Sequence, residues 1–255
     1  MMRGFQLDGQ VGAITGGASG IGLATARIMG EAGARIAVLD VNEAATAAAA
    51  EALAATGIEA VACPVDVTDE AAISSAMDGL VDRFGRLDIL VSSAGRAIRR
   101  PAVELSVEDW DKVVAVNMTG LFLCARHAAL RMMKSGGGAI VNIASIMGLS
   151  GGGVYPNVSY QATKGAVVNM TRALAVEWAG DGIRVNAVAP TYVNTPFIRP
   201  LLDDRDVMHR IYDATPLRKI AEPEDVAYAA LYLASPAAAM VTGHVLAVDG
   251  GFLAQ

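Results

Sequence analysis

Several residue types that mark particular protein classes are scarce in this chain of 255 residues. The only two cysteines, Cys63 and Cys124, form no motif. This argues against a disulfide framework and favours reduced thiols in a cytoplasmic protein. The three histidines stand far apart, so they show no metal-ligand spacing and we expect no bound metal. Charged residues are 18% and apolar residues 53%, which excludes a disordered chain and permits a sizeable core.

Positive charge is also scarce. The net charge is −6, and the densest basic spot is the pair Arg99-Arg100, which is typical of a solvated loop. We therefore expect neither nucleic acid nor an anionic membrane surface as a partner. The longest apolar stretch, residues 113–133, contains several charged or polar side chains and is not expected to span a membrane. The N-terminus shows no signal-peptide pattern.

Aromatic residues are only 5%, and the apolar residues are mostly Ala, Val, Ile and Leu, which suits buried parallel strands. Short apolar runs alternate with helical segments throughout the chain. The predicted strands are residues 11–14, 35–39, 58–63, 87–91, 139–144, 183–188 and 245–248. This alternation predicts an α/β fold with one doubly wound sheet. No linker or repeat divides the chain, so we expect one domain over residues 1–255, with a lid at about 191–218.

A glycine-rich turn, TGGASGIG, follows the first predicted strand and opens a helix. Glycines let the backbone approach a pyrophosphate, and a helix N-terminus supplies free N–H groups. The spacing is G-x-x-x-G-x-G rather than G-x-G-x-x-G, and glycines also form turns that bind nothing. The strand before and the helix after favour a dinucleotide. The candidate cofactor contacts in this turn are Gly16, Ser19, Gly20, Ile21 and Gly22.

Two acidic residues follow the next predicted strands. Asp40 lies 18 residues after Gly22, near the interval at which a carboxylate meets the adenosine ribose. Such a carboxylate repels a 2′-phosphate, and neither Lys nor Arg occurs in the turn or at residues 41–42. We therefore predict NAD rather than NADP. Asp66 either bonds the adenine amino group or caps the helix that begins near Asp69.

A second constellation surrounds the end of the fifth predicted strand. Ser145 ends this strand, and a glycine-rich loop leads to a helix that carries Tyr160 and Lys164. Residues four apart lie on one helix face, and an ammonium beside a phenol lowers the phenol's pKa. This predicts Tyr160 as a proton carrier and Ser145 as a hydrogen-bonding partner of the same substrate oxygen. The Y-x-x-x-K spacing by itself is equally typical of an ordinary amphipathic helix.

Together these motifs, with Asn117 and the VDGG ending, resemble the short-chain dehydrogenase/reductase family over nearly the whole chain. The resemblance implies a Rossmann sheet of seven parallel strands and a homotetramer. It also implies a catalytic tetrad of Asn117, Ser145, Tyr160 and Lys164, with Asn117 near a proton-relaying water. Further implied cofactor contacts are Asp66, Val67, Ser93, Ala94, Gly95, Tyr160, Lys164, Pro190, Val193 and Thr195.

Three positions depart from the family pattern. The usual N-N-A-G is Ser92-Ser93-Ala94-Gly95, and the usual P-G is Pro190-Thr191, which places a side chain near the nicotinamide. The loop between Ser145 and Tyr160 is also longer than usual. Tyr155 and Ser159 are therefore alternatives, but Tyr155 lacks a Lys four residues on, and Ser159 is too close to Tyr160 to face it.

The carboxyl-terminal half is most similar to bacterial NAD-dependent polyol and sugar dehydrogenases. This implies reversible hydride transfer between NAD and a secondary alcohol or ketone. The candidate substrate contacts are Met147, Gly152, Asn157, Thr191 and Tyr192, although Asn157 is also suited to cap the following helix. The alternatives are an acyl-carrier-protein or small-ketone reductase, and a relative that binds NAD without catalysis.

Overall fold

A computed structural model describes residues 2–255, and its centre is one sheet of seven strands. The strand order is β3-β2-β1-β4-β5-β6-β7, and every neighbouring pair is parallel. The strands are β1 (Val11–Thr15), β2 (Arg35–Asp40), β3 (Ala60–Pro64), β4 (Ile89–Ser92), β5 (Gly138–Ile143), β6 (Ile183–Pro190) and β7 (Val245–Val248). The predicted fold class is confirmed, and the predicted strand ends differ from these by at most two residues.

Helices cover both faces of this sheet. They are α1 (Gly20–Glu31), α2 (Glu43–Ala55), α3 (Glu70–Phe84), α4 (Val107–Val114), α5 (Leu121–Ser135), α6 (Val158–Glu177), α7 (Arg199–Leu202), α8 (Arg205–Asp213) and α9 (Pro223–Ala234). Ile36 and Val38 pack with α1, α2 and α9, whereas Ala37 and Leu39 pack with α3, α5 and α6. Successive side chains of a strand thus enter opposite cores, which explains why the strands are apolar without alternation.

A π-helical turn, Ala115–Gly120, joins α4 to α5 and contains Asn117. By length and composition, the segment Val107–Ser135 is the one helix of residues 2–255 that would pass as a membrane span, with a mean hydropathy of 1.5. However, 56% of its most apolar window is buried inside the protein, where α5 forms part of one of the two cores. A core helix of a soluble protein passes the same test.

The carboxyl ends of the parallel strands share one edge of the sheet. The chain order reverses between β1 and β4, and such a reversal opens a crevice at that edge. The segment after β6 folds over the same edge and contains α7 and α8. Its buried residues Ile198 and Ile211 pack with Met147, which follows β5. The loops that end β1, β2, β4, β5 and β6 therefore surround one space.

Candidate active site

A cavity of about 570 Å³ lies along this edge of the sheet. Most of the residues predicted from the sequence line it: Gly16, Ser19, Gly20, Ile21, Asp40, Asp66, Val67, Ser93, Ala94, Gly95, Ser145, Met147, Tyr160, Lys164, Pro190, Thr191, Tyr192, Val193 and Thr195. Gly22, Asn117, Gly152 and Asn157 are not among the lining residues. Two sets of residues that were predicted from separate motifs thus meet in one cavity.

The glycine turn forms a backbone cradle at one part of the cavity. Gly16 has a φ of +63°, and a Cβ atom there would lie 2.8 Å from the Ala94 nitrogen. Ser19 precedes α1, but its side chain makes no capping hydrogen bond to the helix. First-turn N–H groups of α1 are thus left for an anion, so the cradle fits a dinucleotide's pyrophosphate. Gly22 has a packing role, because its Cβ would lie 2.1 Å from the Gly16 oxygen.

Asp40 faces the glycine turn from the end of β2. Its carboxylate accepts hydrogen bonds from the backbone N–H groups of Ala18, at 3.4 Å, and Asn42, at 3.2 Å. These bonds hold the carboxylate beside the turn, where it lines the cavity. A carboxylate in this position is placed to accept hydrogen bonds from ribose hydroxyls.

Asp66 follows β3 and lines the cavity next to Val67. Its Oδ1 accepts hydrogen bonds from the backbone N–H and the hydroxyl of Thr68, both at 2.8 Å. The helix cap is Asp69, whose carboxylate accepts from the N–H of Ala72 at 3.0 Å. Of the two alternatives for Asp66, capping of α3 is therefore wrong, and the adenine contact stays a prediction.

The Ser92-Ser93 departure is accommodated by Thr15. The Thr15 hydroxyl accepts hydrogen bonds from the N–H groups of Ser93, at 3.1 Å, and Ala94, at 3.2 Å. The end of β1 thus holds Ser93 and Ala94 without amide side chains at positions 92 and 93. The Ser92 hydroxyl is buried and has no hydrogen-bond partner within residues 2–255.

Ser145, Tyr160 and Lys164 line one part of the cavity. The Ser145 hydroxyl accepts a hydrogen bond from the N–H of Met147 at 3.1 Å, so its own proton is free to be donated. The Lys164 side chain is 4% exposed and donates from Nζ to the Ile143 carbonyl at 2.6 Å. The same Nζ lies 5.5 Å from the centroid of the Tyr160 ring.

The pKa values at this site differ from the prediction. Burial raises the pKa of Tyr160 to about 12, and the nearby Ser145 hydroxyl and Arg99 guanidinium only partly offset this. Burial also lowers the pKa of Lys164 to about 8. The predicted net lowering of the Tyr160 pKa is therefore wrong, because burial outweighs the groups that favour the phenolate. The Lys164 ammonium is directed at the Ile143 carbonyl and lies over the phenol ring.

Asn117 lies outside the cavity lining and links the loop after β4 to α6. Its Oδ1 accepts from the Arg96 N–H at 2.7 Å, and its Nδ2 donates to the Arg96 carbonyl at 2.9 Å and the Thr163 hydroxyl at 3.2 Å. Asn117 thus bonds the backbone of another segment and lies in the π-helical turn between α4 and α5. Because Thr163 precedes Lys164 on α6, these bonds fix this face of α6 against the loop after β4.

Of the candidate substrate contacts, Met147, Thr191 and Tyr192 line the cavity. The Tyr192 hydroxyl accepts from the N–H of Val154 at 3.3 Å. The Thr191 hydroxyl is buried and lacks a hydrogen-bond partner among the described residues. Asn157 precedes α6 but makes no capping side-chain bond, and its Oδ1 is buried without a partner within residues 2–255.

Sequence reasoning missed part of the lining. Arg96, Tyr155 and Phe197 line the cavity, and Tyr155 had been weighed only as an alternative to Tyr160. The prediction of a solvated loop holds for Arg100, which is exposed, but is wrong for Arg99. The Arg99 guanidinium lies 5.1 Å from the Tyr155 ring centroid and 5.6 Å from that of Phe197. No local pattern signals this burial, because both rings come from distant parts of the chain.

The cysteines and acidic groups of the described residues form no metal site. Within residues 2–255, no three His, Cys, Asp or Glu side chains are grouped so that they could hold a metal ion. Cys63 and Cys124 are free thiols, and burial raises the pKa of Cys124 to about 12. A thiol of this kind is inert at neutral pH.

The fold, the glycine cradle and the arrangement of Ser145, Tyr160 and Lys164 define a nicotinamide-dependent oxidoreductase. A family model described as enoyl-(acyl carrier protein) reductase matches residues 16–253. The chain belongs to the short-chain dehydrogenase/reductase family.

Relatives of known activity cover nearly the whole chain. It is 45% identical to the cis-4-hydroxycyclohexanecarboxylate dehydrogenase of Sinomonas cyclohexanicum, over 96% of this chain and 97% of that protein. It is 43% identical to the D-threitol dehydrogenase of Mycolicibacterium smegmatis, over 97% of this chain and 94% of the relative. A crystal structure of a gluconate 5-dehydrogenase from Burkholderia cenocepacia, in complex with NADP and tartrate, superposes with a TM-score of 0.95 at 36% identity, covering 99% of this chain and 98% of that one.

Proposed function

We propose that this protein is an NAD-dependent dehydrogenase that interconverts a secondary alcohol and a ketone, with Tyr160 as the proton carrier. The observation that carries the proposal is the meeting of Ser145, Tyr160 and Lys164 in the cavity that also contains the glycine cradle. With the pyrophosphate held in that cradle, the nicotinamide of the cofactor would supply the chemistry of hydride transfer. The residues of the chain then have to bind the substrate oxygen and move one proton.

The proton step follows from the state of Tyr160. Since its pKa is about 12, the phenol is protonated at neutral pH and is ready to donate to a carbonyl oxygen during ketone reduction. Ser145 donates its free hydroxyl proton to the same oxygen and thereby fixes its position. Alcohol oxidation requires the phenolate, so we expect its rate to rise with pH through the alkaline range.

Lys164 and Asn117 have positioning roles in this proposal. The Lys164 ammonium lies beneath the Tyr160 ring and favours the phenolate when it forms during alcohol oxidation. Its pKa of about 8 means that this charge is present below pH 8 and is progressively lost above it. Asn117 keeps α6 in register with the loop after β4 through its bonds to Arg96 and Thr163.

We infer NAD as the cofactor from Asp40. Its carboxylate is held beside the glycine turn, and a 2′-phosphate in that place would meet a like charge. The cationic residues that line the cavity are Arg96 and Lys164, which belong to the β4 and α6 side rather than to the turn. The related gluconate dehydrogenase structure contains NADP, so NADP is the alternative to be tested.

The relatives narrow the substrate to small hydroxylated molecules. D-threitol is a neutral polyol, whereas 4-hydroxycyclohexanecarboxylate and gluconate are hydroxy acids. All three contain a secondary alcohol, and we propose that the substrate of this protein does too. An acyl-carrier-protein reductase remains the second candidate, since the matching family model is described by that activity.

The segment at residues 191–218 is proposed as a lid, because Phe197 and Ile198 come from it and line the cavity.

We also propose a cytoplasmic homotetramer that packs through α4, α5 and α6. Exposed apolar side chains on these helices, including Val107, Leu130 and Val176, support such an interface. Analytical ultracentrifugation of the purified protein tests the oligomer, and a monomer would refute it.

The test of the activity is nicotinamide absorbance with the purified protein. D-threitol and cis-4-hydroxycyclohexanecarboxylate are each offered with NAD and with NADP. We expect reduction of NAD by at least one of them, and slower reduction of NADP. A preference for NADP would refute the cofactor assignment, and turnover of an acyl-carrier-protein substrate alone would favour the second candidate.

A further inference from the structure

The two ends of the cavity carry opposite charges. Asp40 and Asp66 are its acidic lining residues, and they follow β2 and β3. Ser145 follows β5, which is three strand spacings, or roughly 14 Å, from β2. The cationic residues of the lining, Lys164 and Arg96, come from α6 and from the loop after β4. The acidic and the cationic lining residues therefore come from different ends of the sheet edge.

Arg99 adds a third cation. Its guanidinium lies over the Tyr155 and Phe197 rings, both of which line the cavity, and its Nη2 donates to the Phe197 carbonyl at 3.2 Å. The Arg99 Nε is buried and has no hydrogen-bond partner among residues 2–255. Nor does any carboxylate in that range lie within 4.0 Å of this guanidinium, whereas Arg86 and Arg131 each have one.

The two rings connect Arg99 to the reacting groups. The Phe197 ring centroid is 6.0 Å from that of Tyr160, and the Tyr155 ring centroid is 6.5 Å from that of Tyr192. The positive charge also reaches both phenols, because it acts to lower the pKa of Tyr160 and of Tyr192 against the effect of burial. Arg99 is thus held about one side chain away from the catalytic tyrosine.

A partly buried cation with unused donors and no counter-ion is costly unless a ligand supplies the negative charge. We propose that the natural substrate is a hydroxy acid, a secondary alcohol whose carboxylate is bound by Arg99. A guanidinium suits this task, because its planar fork matches a carboxylate while its faces stack on aromatic rings. The Phe197 ring lies near both Arg99 and Tyr160, so we place the carboxylate away from the carbinol carbon.

The role of the hydroxy acid as substrate rests on the proposed function. The binding of a carboxylate at Arg99 can be tested without turnover. The probes are cyclohexanecarboxylate and cyclohexanecarboxamide, which share a ring and lack the reacting hydroxyl. Calorimetry measures their binding to the protein saturated with NAD. We expect the carboxylate to bind roughly 10- to 100-fold more tightly than the amide, the difference made by a charge-assisted hydrogen-bond pair.

Three variants assign that preference to Arg99. Arg99→Gln is expected to abolish the preference, and Arg99→Lys to restore it only partly, because an ammonium lacks the planar fork. Arg100→Gln is the matched control, since Arg100 is the exposed neighbour, and it should leave the preference intact. Thermal denaturation shows whether each variant is folded, and Arg99→Lys serves as the test if Arg99→Gln is not.

The outcomes separate the two proposals. Equal binding of acid and amide by the native protein, or equal loss of both in Arg99→Gln, overturns the anion site. Equal loss would mean that Arg99 only ties Phe197 in place. A carboxylate preference in a protein that reduces neither NAD nor NADP with any hydroxy acid would support the anion site and refute the dehydrogenase proposal.

Discussion

The proposed cofactor end and the proposed substrate end of the cavity differ in what lines them. The proposed cofactor end is mainly backbone: glycines at positive φ, the first turn of α1 and a carboxylate held by two N–H groups. The substrate end is mainly side chains, with Tyr155, Tyr192 and Phe197 around it and Arg99 behind. A backbone cradle requires particular residues close together in the sequence. A pocket lined by side chains draws its residues from distant parts of the chain. This explains how one cofactor site can serve enzymes with different substrates.

The largest expected effect belongs to Tyr160→Phe. Loss of the phenol proton should lower kcat roughly 100- to 10,000-fold. The Kd for NAD should stay within about twofold, because the cradle is backbone and lies elsewhere in the cavity. Steady-state rates and calorimetry measure the two quantities.

Tyr155→Phe is the matched control, since Tyr155 lines the same cavity without a lysine four residues on. Its kcat should change far less. If instead Tyr155→Phe lost turnover and Tyr160→Phe kept it, the assignment of the proton carrier would be wrong.

Asp40→Asn tests the cofactor end alone. Removal of the negative charge should shift the ratio of NADP to NAD affinity roughly 10- to 100-fold toward NADP, because a repulsion and a charge-assisted hydrogen bond are both lost. Substrate KM should be unchanged. Asp66→Asn is the control, and it should affect both cofactors alike; an unchanged ratio in Asp40→Asn would contradict the role of Asp40.

Lys164→Met should lower the activity of the protein and raise its stability. Burial lowers the pKa of Lys164 to about 8, so below pH 8 the folded protein holds an ammonium that the unfolded chain accommodates more easily. The variant should therefore exceed the native protein in free energy of unfolding by roughly 1–3 kcal/mol at pH 7. The penalty diminishes as pH rises from about 8 toward the unfolded value near 10.5, where the difference should vanish.

Urea denaturation at pH 7 and at pH 9.5 measures this change, with turnover recorded in parallel. A variant that is less stable than the native protein at pH 7 would show that the bond to the Ile143 carbonyl outweighs the desolvation of the ammonium. Lys112→Met is the control, because Lys112 is largely solvated and pairs with Glu108 on the surface.

Phe197→Ala should give the smallest effect and one confined to the substrate end. Loss of the ring beside Tyr160 should raise the substrate KM roughly 2- to 10-fold, the range of one aromatic contact. The Kd for NAD should not change. An equal change in both constants would mean that the segment after β6 closes over the whole cavity.

Most of the lining at the proposed cofactor end could be predicted from the sequence. Gly16 and Gly20 have positive φ values that favour glycine, and Asp40 stands at a known interval from the turn, so each leaves a local signal. Ser145, Tyr160 and Lys164 could be predicted to meet for the same reason, since they stand at fixed positions relative to one strand and one helix. The direction of the Lys164 side chain was not predictable, because spacing brings it near Tyr160 without setting where its Nζ points.

The substrate end was predicted less well. Arg99 looks like half of a solvated basic pair, and only the fold brings Phe197, 98 residues away, against it. Asn157 was expected to contact substrate or to cap α6; its side chain does not cap α6 and is not among the lining residues of the cavity. Such contacts depend on how the long loop before α6 and the segment after β6 pack, and neither segment has a periodic pattern.

The most direct measurement follows the hydrogen itself. The protein is incubated with NAD and cis-4-hydroxycyclohexanecarboxylate that carries deuterium at the carbinol carbon, and mass spectrometry examines the reduced cofactor. We expect one deuterium in NADH and a matching amount of the 4-oxo acid. Formation of NADH without deuterium would contradict the proposed hydride transfer. Recovery of both reactants unchanged would also contradict it, if D-threitol labelled in the same way fails to react as well.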